Sequence, residues 1–95
     1  MNVKFVVLQK GNDIVFIENN GDAYSIKNNF CEFMATYSEM VQEPFKRIIS
    51  ELIQKGYERL QSYQKSDYSL FKKARRTHIS ERKKLREFIE NFNQD

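Results

Sequence analysis

The sequence predicts an α+β fold: a small three-stranded antiparallel β-meander followed by two or three α-helices, the last of them long and basic. Three observations carry this expectation. Apolar residues recur with a period near two over the first 27 positions and with a helical period from residue 29 onward. Turn-forming residues punctuate the first third, and the only proline falls at position 44. The stretch KKARRTHISERKKLR, residues 72–86, then sets eight Lys and Arg residues beside a single acid, Glu81. With 95 residues, 40% of them hydrophobic, the chain is expected to form one domain over 1–95.

The β-meander is placed at 1–27. VKFVVLQ and DIVFIEN are β-branched and aromatic runs of strand length, joined by the turn-rich Lys10-Gly11-Asn12-Asp13. Asn20-Gly21 suits a tight type I′ hairpin turn, after which AYSIK reads as a third strand. Val3, Phe5 and Val7 alternate on one face of the first strand, yet Val6 and Leu8 are apolar too. Both faces are therefore expected to be covered, by helices on one side and a second chain on the other.

Helices are expected at 29–42, 44–64 and 68–92. Asn29 and Glu32 have the spacing of a capping box, and Phe30, Phe33, Met34, Tyr37, Met40 and Val41 follow at helical intervals. Pro44 suits the first turn of the next helix. Its stripe runs through Phe45, Ile48, Ile49, Leu52, Ile53, Tyr57, Leu60 and Tyr63, with Gly56 read as an interior residue. Asp67 is the expected N-cap of the last helix. Its seam, Phe71, Ala74, His78, Leu85, Phe88 and Phe92, is near-heptad, with Glu81 at the missing position.

The formal charge of +3 is unevenly distributed. Residues 72–86 alone carry 8 − 1 = +7. On a helical wheel the eight bases share one broad arc opposite the seam. Lys72, Arg76, Lys83 and Arg86 form its middle, Lys73 and Lys84 one flank, and Arg75 and Arg82 lie beside the apolar seam, where their stems can pack. Lys72–Arg76 and Arg82–Arg86 repel at i, i+4, so intrahelical pairing does not account for the cluster. Glu43, Glu51 and Glu58 are a second source of neutralisation, if the preceding helix forms a hairpin with the last one. Otherwise the arc is a surface for phosphates, bound electrostatically with little sequence preference.

These features point to a non-catalytic binding or regulatory protein that contacts nucleic acid, or a nucleic-acid-handling complex, through Lys72, Lys73, Arg75, Arg76, Arg82, Lys83, Lys84 and Arg86. The alternative is a protein–protein inhibitor or adaptor whose basic face meets an acidic groove, of the kind phages and mobile elements direct at host or defence proteins. Tyr57, Tyr63 and Tyr68 flank the basic run, where stacking on bases competes with sealing the core edge. A lone histidine and a lone cysteine, Cys31, exclude a two-histidine zinc site and a CxxC pair, and no phosphate-binding glycine loop is present. No cofactor, metal or enzymatic activity is expected. The one catalytic arrangement worth weighing is a metal-free ribonuclease site built from His78 with Glu81, Arg75 or Arg82. No run approaches the length of a membrane span or a secretory signal, so a cytoplasmic location without a membrane partner is expected. The two-sided first strand and the long seam make a homodimer the expected state.

Overall fold

The computed structural model describes residues 4–35 and 43–92. In order, its elements are β1 (Phe5–Lys10), β2 (Asp13–Glu18), β3 (Ala23–Lys27), β4 (Phe30–Ala35), α1 (Pro44–Gln54), β5 (Glu58–Leu60) and α2 (Lys65–Phe92). The class is α+β, as expected, but the sheet has five strands in the order β4-β3-β2-β1-β5, every pairing antiparallel.

The first three strands lie where alternation and turn chemistry place them. Lys10 pairs with Asp13 across a two-residue loop in which only Gly11 has positive φ, the pattern of a type II′ turn. The next connection differs from the expected type I′ turn. Asn20 keeps negative φ, Glu18 accepts from Gly21 N–H at 2.9 Å, and Gly21 takes φ 93°. This is the three-residue hairpin loop with a bulge at its last position. Gly21 also meets Pro44 at the start of α1, where an added Cβ would lie 2.7 Å from the proline Cβ. Gly21→Ala is therefore expected to lower stability by about 2 kcal/mol or more, from left-handed backbone strain and from the clash. Urea unfolding checks it against Gly11→Ala, which carries the backbone cost without a steric neighbour.

Two of the expected helices are corrected. The helix at 29–42 is replaced over 30–35 by strand β4, while 36–42 lie outside the described residues. Asn28 and Asn29 both adopt positive φ, at 51° and 62°, and close a type I′ turn between Lys27 and Phe30. The turn returns the chain along β3, so Asn29 is a hairpin residue and not a helix cap. The helix at 44–64 stops at Gln54. Gly56, at φ 100°, donates to Ile53 O at 3.0 Å, and Tyr57 N–H donates to Leu52 O at 3.0 Å. These are the two bonds of a Schellman ending, so Gly56 terminates the helix and frees Tyr57 onward to form β5 against β1. The last helix starts earlier than expected, at Lys65, so Asp67 falls in its first turn, beside the helix's positive end.

Both sheet faces are covered. Leu8, Val15, Ile17 and Ala23 pack against Ile48 and Leu52 of α1. Val7, Phe16, Tyr24 and Ile26 pack against Phe71 of α2. Alternation along the strands puts these two clusters on opposite faces, so α1 and α2 are separated by the sheet. The second covering of the first strand is thus supplied by the chain's own α1.

Asp13 is the polar exception on the α1 face. It is buried at 7% exposure and accepts from Ser25 Oγ and, at 2.5 Å, from the Tyr57 hydroxyl. That hydrogen bond, helped by burial, pushes the Tyr57 phenol up to about 12. Burial first, and then the Glu18 and Asp22 charges, push the Tyr24 phenol up as well. A phenol whose folded pKa is raised stabilises the fold below its unfolded value near 10, and that contribution disappears as pH rises through the folded value. Stability is expected to fall from about pH 10 to about pH 12. In an alkaline titration followed by tyrosinate absorbance, Tyr57→Phe should remove one late-titrating phenol.

Candidate nucleic-acid interface

The 28 residues of α2 span about 42 Å, whereas five strands at about 4.8 Å spacing place their outermost axes only about 19 Å apart. The helix crosses the sheet from β1 toward β4. Tyr68 stacks on Phe5, Phe71 stacks on Phe16 and meets Tyr24 edge-on, and His78 stacks on Phe33, in chain order. Past Glu81 the helix leaves the sheet, and Leu85, Phe88 and Phe92 are 60%, 66% and 77% exposed.

The expected basic residues divide into two groups. Lys72, Lys73, Arg76, Lys83, Lys84 and Arg86 are exposed, and none of them pairs with a carboxylate among the described residues. Lys72 Nζ lies 5.0 Å from the Tyr68 ring centroid, a cation–π contact that leaves its charge at the surface. Arg75 instead turns toward the sheet and donates from Nε to Glu18, whose side chain is 4% exposed. Arg82 is half-buried and has an interaction of its own. The glutamates proposed to neutralise the arc are elsewhere. Glu43 pairs with Lys46, Glu51 with Arg47, and Glu58 lies on β5. With the sheet between α1 and α2, the helical hairpin that would bring them to the bases does not form.

The Glu18–Arg75 contact belongs to a buried polar cluster that the sequence did not disclose. The β2–β3 loop delivers Glu18 and Asp22 beneath α2, held by Asp22 N–H donating to Asn20 Oδ1 at 2.9 Å. His78 Nε2 approaches Asp22 Oδ2 at 4.0 Å, beyond hydrogen-bond reach, and the Tyr24 hydroxyl and Asp22 Oδ1 are buried without a hydrogen-bond partner among the described residues. The only available signal was two carboxylates flanking Asn-Asn-Gly. Arg75 and Glu18 are 57 positions apart. Of the residues weighed for a ribonuclease arrangement, Arg75 is committed to Glu18 and His78 faces Asp22. Cys31, half-buried on β4, has its thiol pushed up to about 11, by burial first and then by Glu32, so it remains protonated at neutral pH.

Among the described residues no cluster of His, Cys, Asp and Glu could hold a metal ion, and no helix is long and apolar enough to cross a membrane. Tyr57 bonds Asp13 beneath the α1 face, while Tyr63 and Tyr68 join the aromatic group around Phe5. Comparison with protein-family models, with curated proteins and with solved structures finds no significant match.

Proposed function

We propose that this is a small non-catalytic binding protein that contacts nucleic acid, alone or within a nucleoprotein complex, through the outward face of α2. The observation that supports this reading is the set of exposed bases Lys72, Lys73, Arg76, Lys83, Lys84 and Arg86 on one helix, none with a carboxylate partner among the described residues. Such a row neutralises phosphates and releases their counterions. Arg75 belongs to the fold in this reading, and Arg82 sits at the margin of the surface. Nothing in the spacing forms a base-reading code, so binding is tolerant of sequence.

Titration of labelled DNA and RNA by fluorescence anisotropy at two salt concentrations tests this. Affinity is expected to fall with salt with a log–log slope of about −3 to −5, the value for four to six phosphate contacts. Reversing Lys72, Arg76, Lys83 and Arg86 to Glu should abolish binding and leave the circular dichroism spectrum unchanged, since all four are exposed. Absence of binding near physiological salt overturns the reading and leaves an acidic protein surface as the partner of this face.

A further inference from the structure

The free edge of the sheet and the overhanging end of α2 lie on the same side of the molecule. Among the described residues β4 pairs only with β3, and its outer edge carries none of the usual protection: no Pro, no Lys, and a single charge, Glu32. Phe30 is 62% exposed. Between this strand and α2 lies an open cavity of about 480 Å³, walled by Cys31 and Phe33 on the strand and by Leu70, Lys73, Ala74 and Thr77 on the helix. These helix residues recur at intervals of three and four, so the cavity is a groove running along α2 for about two turns. Beyond it, Leu85, Phe88, Ile89 and Phe92 form an exposed apolar stripe with the same intervals.

We infer that the protein pairs with a second copy of itself, the overhang of each α2 lying antiparallel in the α2–β4 groove of the other, with the two β4 edges joined. A two-fold axis through the sheet normal near Glu81 sets Leu85 opposite Thr77, Phe88 opposite Ala74, Ile89 opposite Lys73 and Phe92 opposite Leu70. The stripe and the groove wall thus share one register. The charges complement each other in the same arrangement. Glu87 of each copy reaches toward Lys73 of the other, and Glu81 toward Lys84. Lys72, Arg76, Lys83 and Arg86 point away from this interface and stay open in the pair. The inference is independent of what those bases bind.

Sedimentation equilibrium of the full chain, without nucleic acid, is the test. The expected species has twice the 11.4 kDa chain mass at micromolar concentration. Leu85→Glu with Phe88→Glu should weaken pairing by about a hundredfold or more, with an unchanged circular dichroism spectrum. Lys73→Glu and Glu87→Lys should each weaken it, and their combination should restore it. A species of 11.4 kDa at every concentration, or a dimer indifferent to Leu85→Glu/Phe88→Glu, overturns the inference. Failure of the charge exchange to restore pairing overturns the antiparallel seating.

Discussion

Phe71→Ala should cost about 3–5 kcal/mol, a large share of the roughly 5–15 kcal/mol available to a domain of this size. Phe71 is fully buried and touches four rings. It stacks on Phe16 at 4.7 Å and 11°, meets Tyr24 edge-on at 5.3 Å, and tilts against Phe5 at 5.4 Å and Tyr68 at 6.1 Å. Truncation removes both the burial of an aromatic side chain and the ring contacts that fix the crossing of α2 over the sheet. The cavity left is walled by strand residues that cannot close over it without breaking their ladders. A fall in Tm on the order of 15–30 °C is expected. Helix content should fall along with it, since most helical stability comes from packing rather than propensity and α2 would lose its central anchor. Phe71→Leu, which keeps most of the volume, should retain most of the stability. Equal losses for the two variants would show that α2 is not held by this contact.

Arg75→Ala should be the costliest substitution within the basic run, at about 3 kcal/mol, because it leaves the Glu18 carboxylate buried beside Asp22 without its cation. The figure lies at the lower end for a broken buried pair because the Arg75 side chain is itself 31% exposed and water reaches it. Glu18→Gln in the Arg75→Ala background removes the stranded charge and is expected to recover a substantial part of the loss. Arg76→Ala, one position along and exposed, should change stability by no more than about 0.5 kcal/mol. Denaturant unfolding of the four proteins separates these cases. Neighbouring arginines would then differ sharply in stability while carrying the same charge, and a uniform response along residues 72–86 would contradict the division of bases into fold and surface.

β1, β2 and β3 were legible because a period of two, β-branched residues and turn formers all agree there. FCEFMA was not, since Phe30, Phe33 and Met34 satisfy helical spacing as readily as a strand. The deciding signal was the Asn28-Asn29 pair, whose tolerance of positive φ makes a hairpin turn. β5 has three residues, too few for any period, and was hidden inside a helical stripe that Gly56 interrupts. The bases of α2 were legible as one face because a helix wheel needs only local spacing. Their separate fates were not, because Arg75 is distinguished from Arg76 by a carboxylate on a distant hairpin loop. Position relative to that loop follows from the diagonal crossing of α2, a tertiary fact with no local signature.

The two-sided burial of the sheet has a kinetic consequence. Val7 pairs with Leu60, so the β1–β5 ladder closes a loop of roughly fifty residues before it returns any stabilisation. Phe71 must arrive later still along the chain. Until then the meander of β1 to β4 presents Val7, Phe16, Tyr24 and Ile26 to solvent on one face. Folding should therefore be paced by the docking of α2, in milliseconds to seconds and not microseconds. During that interval the half-covered sheet is the species most exposed to aggregation. A nascent chain halted before residue 71 would be a client for chaperones, and the same chain twenty residues longer would not.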